Sequence, residues 1–173
     1  MSEQPASDSG LLAVYDRALP QVYGYLRARC DSRAVAEDLS AETFLAAVDA
    51  VRRANPPPID VPWLIGVARH KLVDHWRRLA RETRNLQVVS ETADTAVDPW
   101  DAELDSLRAR EVLARLGAHH RAVLTLRYLD DLPVAEVAAL LDRTIHATEA
   151  LLVRARAAFR RAYDADPGTE AER

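Results

Sequence analysis

Between Pro62 and Arg78 the chain reads PWLIGVARHKLVDHWRR, two tryptophans and two histidines set among Arg69, Lys71, Arg77 and Arg78. Cations interleaved with aromatics are the side chains that hold unpaired nucleic-acid strands. Bases stack on the rings for about 1–3 kcal/mol each, and guanidiniums track the phosphates. On a helical projection at about 100° per residue, Leu64, Ile65, Ala68, Leu72, Trp76 and Leu79 form one stripe. Trp63, Gly66, His70, Asp74, Arg77, Arg78, Arg81 and Arg84 lie opposite. Trp76 is therefore expected in the core and Trp63 beside the cations. A solvated charged face with one tryptophan at its edge fits the same pattern.

Other chemistry lacks parts. His70 and Asp74 are four residues apart and could share a metal ion, but His75 points elsewhere and a third ligand is missing. His119 and His120 are adjacent and cannot face one ion. Cys30 is the single cysteine, which excludes an internal disulfide and a CxxC motif, and it has no evident histidine partner. Neither a glycine-rich phosphate loop nor a GxSxG elbow occurs. No catalytic residue, cofactor or metal is assigned, and the chain is not expected to be an enzyme.

The C-terminal stretch LPVAEVAALLDRTIHATEALLVRARAAF has a short apolar helix, a tight turn and a longer helix, the layout of a helix-turn-helix. In the longer helix Ile145, Thr148, Leu152, Ala155, Phe159 and Tyr163 share the inward face. His146, Ala147, Ala150, Arg154, Ala157 and Arg161 fall outside. A helix-turn-helix reads bases with the N-terminal end of its second helix. Arg143, Thr144, His146 and Ala147 are thus nearest the groove, with Ala150 on the same outer face. Arg154, Arg121 and Arg127 are expected to anchor phosphates. A packed helical hairpin is the plain alternative.

Residues 32–53 have another character. Val35, Ala36, Leu39, Thr43, Ala46, Ala47, Ala50 and Val51 make the apolar stripe. Glu37, Asp38, Glu42 and Asp49 lie across from it with Leu45 among them. Solubility alone accounts for such a face, and so does a basic partner protein.

The elements that must carry these residues follow from composition. The chain has 173 residues, of which 49% are hydrophobic and only five are glycine. Abundant Ala, Leu, Arg and Glu favour helices, so an all-α fold of two small helical domains is expected. Residues 11–30 read as helix, with Pro20 a break or fresh start. The 32–53 helix is capped by Asp31 or Ser32. NPPPIDVP is a rigid loop, and Pro62 suits the first turn of a helix over 62–84. Helices follow at 104–116, from Ala118 to Leu129, from Pro133 and from Ile145, with Gly117 ending the first of them and DRT as the last turn.

Charge divides the chain in the same places. Residues 1–84 hold 12 Lys+Arg and 11 Asp+Glu, residues 85–107 none and 6, residues 108–163 10 and 6, and residues 164–173 1 and 4, within a net charge of −4. Two faintly basic bodies are joined by an acidic connector and trailed by an acidic tail. The expected layout is a disordered 1–9, a helical domain at 10–84, a flexible linker at 85–104, a helix-turn-helix domain at 105–163 and a tail at 164–173. No 18-residue apolar run occurs, so no membrane insertion is expected. The first residues lack the basic start and apolar run of a secretory signal, and the lone cysteine agrees with a cytoplasmic location.

These pieces together resemble the extracytoplasmic-function (ECF) sigma factors, small bacterial RNA polymerase subunits. AEDLSAETFLAA is similar to their AEDLVQETF-type helix, PWLIGVARHKLVDHWRR to their WL-x-x-IARN-x-x-x-D-x-x-RR helix, and RLGAHHRAVLTLRY with LPVAEVAALL to their LPERQREVLLLRY…LSYAEIA signature. The resemblance covers about residues 11–163. It implies binding to core RNA polymerase (the β′ clamp and the β subunit) and to promoter DNA, and often a holding anti-sigma factor. The implied role is to direct polymerase to promoters by reading −35 and −10 elements and opening the DNA.

By the same resemblance, Glu37, Asp38, Leu39, Glu42, Thr43 and Phe44, with Leu45, match the clamp motif. Arg69, Asp74, Arg77 and Arg78 match the −10 helix, which also carries Trp63, His70 and Arg81. The preceding loop offers Asn55 to a flipped base. The linker would thread the polymerase channel. Departures from the family pattern are Ala41 for Gln, His70 for Asn, Gly117 for Pro, Asp142 for Gly, and Glu149 and Leu151 for Lys and Arg. The rival readings are a two-domain helix-turn-helix regulator that binds DNA without polymerase, and a helical adaptor that binds polymerase without opening promoters.

Overall fold

The computed structural model describes residues 6–86 and 106–165. Among them are seven α-helices and no strand: α1 (Ala6–Arg27), α2 (Arg33–Val51), α3 (Val61–Leu86), α4 (Ser106–Arg115), α5 (Ala118–Leu124), α6 (Val134–Leu140) and α7 (Ile145–Ala165). The fold is all-α, as composition and periodicity imply. Packing divides the chain into two compact units, Met1–Asp74 and His75–Arg173, with the division inside α3. Nearly all of the acidic linker, the tail from residue 166 and residues 1–5 lie outside the described residues. α1 begins at Ala6, inside the segment expected to be disordered.

In the first unit α1 packs on α2. Pro20 neither breaks nor restarts α1. It removes an N–H that would bond the carbonyl of Asp16, and Asp16 is exposed, so water can take that carbonyl. Ser32, not Asp31, caps α2: its Oγ accepts from the Val35 N–H at 3.2 Å. Ala36, Leu39, Ser40, Thr43, Ala47 and Ala50 are buried on α2, and Ala18, Val22 and Leu26 on α1. The two hydroxyls in this face turn back onto their own helix, Ser40 Oγ to the Ala36 carbonyl and Thr43 Oγ1 to that of Leu39, both at 2.7 Å. Neither leaves a buried polar group unsatisfied.

Pro56, Pro57 and Pro58 prevent α2 from continuing. Asp60 then starts α3, its Oδ1 accepting from the Trp63 N–H at 2.8 Å, the geometry of an N-cap. Leu64, Ala68, Leu72 and Trp76 are buried along α3, as their stripe implies, and so are Val73 and Ala80.

In the second unit α7 packs on α5, α6 and α4. Val112, Val123, Leu124, Leu126, Val137, Leu151, Leu152, Ala155 and Phe159 make the core. The helix after Gly117 is not uniform. From Thr125 to Leu129 it widens into a π turn, with the Asp130 N–H reaching the Thr125 carbonyl at 3.0 Å. Asp131 then takes φ 51° and Asp142 φ 54°. Both are left-handed positions that an aspartate tolerates better than most residues. The second reverses the chain between α6 and α7, and Thr144 Oγ1 caps the new helix by accepting from the Ala147 N–H at 3.1 Å.

Burial separates two leucines of α2. Leu39 is 2% exposed and Leu45 64%. Leu39→Ala is expected to cost about 2–5 kcal/mol through the cavity it leaves, and Leu45→Ala less than about 0.5 kcal/mol. Urea unfolding followed by far-UV circular dichroism measures both, and equal losses would contradict the packing of α2.

Candidate polymerase and nucleic-acid interfaces

The acidic motif of α2 is split by its own helix. Glu37 and Asp38 are exposed, Glu42 and Phe44 half-buried, and Leu45 projects into solvent. Leu39 and Thr43 match the clamp motif but belong to the apolar stripe, and they face the core at 2% and 0% exposure, which takes them out of a partner interface. The 3.6-residue period puts them on the α1 side. Glu37 accepts from Arg33 Nε at 2.7 Å, and that hydrogen bond, with the attraction of the two charges, raises the Arg33 pKa. Glu42 lies 3.4 Å from Lys71 Nζ, a tie from α2 to α3 at the chain's single lysine. Phe44 meets Tyr15 edge-on at 4.7 Å, and Tyr15 is itself 38% exposed. Sequence reading gave no role to Tyr15 and did not join Lys71 to Glu42, because each lies on a different helix from the motif it meets.

On α3, His70, Asp74, Arg78 and Arg81 are exposed, and Trp63, Arg69 and Arg77 half-buried. Trp76 is 1% exposed, so the two tryptophans fall on the sides expected of them. Arg77 is not simply displayed to solvent. Its Nη2 donates to the Leu140 carbonyl at 2.6 Å, both residues belonging to the second unit. Asn55 is exposed in the loop before α3.

The helix-turn-helix departs most from expectation. Arg121 is 5% exposed and donates to the Ala114 carbonyl at 3.4 Å. It braces the end of α4 and cannot reach a phosphate from there. Arg127 is half-buried, with Nη1 3.6 Å from the Asp131 carboxylate and 3.4 Å from the Leu132 carbonyl. Its charge is answered within its own loop. Thr144, His146 and Ala150 are exposed, while Arg143, Ala147 and Arg154 are half-buried. Ile145 was placed on the inward face, yet it is 53% exposed. Leu151 is 3% exposed, so a leucine there serves the core. Glu149 stays on the surface.

Among the described residues no three His, Cys, Asp or Glu side chains converge as a metal site, and no helix is long and apolar enough to cross a membrane.

Comparison with known proteins fits both halves. The Sigma-70 region 2 family model matches residues 14–82, and that of Sigma-70 region 4 matches residues 106–159. The chain is 30% identical over 147 residues to the ECF RNA polymerase sigma factor BldN of Streptomyces coelicolor, a match covering 82% of this chain and 56% of that longer relative. It is 31% identical over 150 residues to the ECF RNA polymerase sigma factor SigL of Mycobacterium tuberculosis, covering 80% of each. Among solved structures, the sigma factor RpoE of Bartonella quintana, crystallised with the anti-sigma factor NepR, shares the fold. The TM-score is 0.53 at 20% identity, over 92% of this chain and 97% of that one. With both sigma regions present in order, and a relative matched at 31% identity over 80% of its length, the chain belongs to the ECF RNA polymerase sigma factors.

Proposed function

We propose that this sigma factor directs core RNA polymerase to promoters by dividing the work among three surfaces. Glu37, Asp38 and Glu42, with the apolar Leu45, Phe44 and Tyr15 beside them, dock on a basic surface of the β′ clamp. The charges steer the approach, and the apolar groups supply desolvated contact. The cationic side of α3 holds the separated strands of the −10 element, with Trp63 and His70 offering rings for stacking and Arg69, Arg78 and Arg81 neutralising phosphates. Asn55 contacts a base turned out of the stack, whose extraction costs a few kcal/mol. The outer face of α7 reads the −35 element in the major groove.

Opening is driven by binding, because unstacked bases gain contacts the duplex cannot offer. The chain itself catalyses nothing. Nucleotide transfer belongs to the polymerase, and the protein works in the cytoplasm beside it. An anti-sigma partner, such as the one crystallised with RpoE, would cover one of these surfaces. The observation that carries the reading is the pair of sigma region models in chain order.

Transcription with sigma-free core enzyme and the full chain is the direct test. A transcript starting at defined promoters is expected. Tight, sequence-specific duplex binding by the free chain with no such transcript would instead favour a regulator that works without polymerase.

Two substitutions test the surfaces separately. Joint charge reversal, Asp38→Arg with Glu42→Arg, is expected to weaken core binding about tenfold or more with the helical signal unchanged. An unaltered affinity would reduce the acidic face to solvated surface. Arg154→Ala is expected to flatten the salt dependence of holoenzyme binding to promoter DNA by about 0.9 in log–log slope, the loss of one phosphate contact. An unchanged slope would remove Arg154 from the contact.

A further inference from the structure

The first two turns of α7 carry neither arginine nor lysine. What they expose is Ile145, His146, Glu149 and Ala150, behind the capping hydroxyl of Thr144. Ile145 is 53% exposed, although the helical period puts it at the edge of the face that buries Thr148 and Leu152. It stands at the N-terminal end of the second helix of a helix-turn-helix, the end that meets base edges in the major groove.

Side-chain chemistry limits what such an end can read. Guanine is read by Arg or Lys on O6 and N7, and adenine by Asn or Gln on N6 and N7. The first two turns of α7 have none of these four residues, the nearest being Arg143 in the preceding turn, which is half-buried. An aliphatic branch pairs with the C5-methyl of thymine, and a carboxylate accepts from the N4 amino group of cytosine. Ile145 and Glu149 are four residues apart, so they stand one above the other on the helix surface and can meet neighbouring bases. A carboxylate facing DNA adds repulsion from the phosphates, so Glu149 is tolerable only where a donor meets it.

We infer that Ile145 is a specificity-determining residue of this sigma factor. It packs against the C5-methyl of a thymine in the upstream promoter element, and Glu149 accepts a hydrogen bond from a cytosine alongside. The inference rests on the proposed reading of α7 as the helix that enters the groove. It goes beyond that reading in naming the bases and the residues that select them.

The test uses the full chain with sigma-free core enzyme and a template library randomised across the upstream element. Enrichment of one thymine is expected. Replacing that thymine by deoxyuridine removes only the methyl group, and should lower transcription about fourfold, the value of one buried methyl group. Ile145→Val should keep this sensitivity and Ile145→Ala should lose it. Neither should change thermal unfolding, since the side chain is exposed. Glu149→Gln should erode the cytosine preference at the adjacent position. If no upstream sequence is enriched, the reading of α7 fails and takes this inference with it. If a sequence is enriched but deoxyuridine is neutral, or still costs fourfold in Ile145→Ala, the inference alone falls. A cytosine preference that survives Glu149→Gln removes the carboxylate from the readout.

Discussion

A helix that buries one stripe has no freedom left in what it shows on the other, and this constraint sorts every motif in the chain. On α2 the small residues Ala36, Ser40, Thr43, Ala47 and Ala50 sit against α1. Their burial turns Glu37, Asp38 and Leu45 outward. The exposed leucine is therefore a consequence of packing before it is anything else. Its role as a docking feature is part of the proposed reading, with the carboxylates and the Tyr15–Phe44 pair of the same unit. Back-bonded hydroxyls at Ser40 and Thr43 let a polar sequence fill that buried stripe without unsatisfied groups. A motif of consecutive residues such as AEDLSAETF thus contains two lists interleaved, one for the core and one for the surface.

Arginine shows the same division in the second unit. Arg108 lies over the Tyr163 ring at 3.9 Å, Arg121 braces α4, and Arg127 is paired in its loop with Asp131. These guanidiniums tie chain ends and turns together. A planar group with several donors can satisfy carbonyls left over at helix ends. Part of the formal excess of cations over residues 108–163 is therefore used inside the unit. The first two turns of α7 carry no arginine or lysine at all.

The fold was largely legible, and the reasons are local. Four residues of the expected α3 stripe, Leu64, Ala68, Leu72 and Trp76, are buried and Ile65 and Leu79 half-buried, because a long amphipathic helix repeats its signal over several turns. The α2 cap, the stop at Pro56 and the turn at Asp142 each rest on one residue type in a known conformational role. Arg121 and Ile145 were misplaced for a common reason. Each sits near a helix end, where burial depends on the neighbouring helix and the wheel has little to say. The π turn at Thr125–Leu129 could not be seen at all. Five residues with one extra in the turn leave the apolar period nearly intact. Of the interface residues, those spaced along one helix were legible. Lys71 against Glu42 and Tyr15 against Phe44 were not, because such pairs exist only once the helices have packed.

The distribution of charge bears on how the proposed division of labour would operate. Duplex affinity comes chiefly from phosphate neutralisation, and this chain carries a net charge of −4. On the proposed reading, a helix tip of isoleucine, histidine, alanine and glutamate would discriminate among bases but hold DNA weakly. Weak holding is harmful in a free repressor, which must occupy its site alone. It is useful in a subunit whose affinity is lent by a larger partner, since the free protein then does not sit on promoters without polymerase. The acidic face of α2 works in the same direction: it repels DNA and favours a basic protein surface. On the proposed reading, docking would precede reading, because the charges favour a basic protein surface over a phosphate backbone.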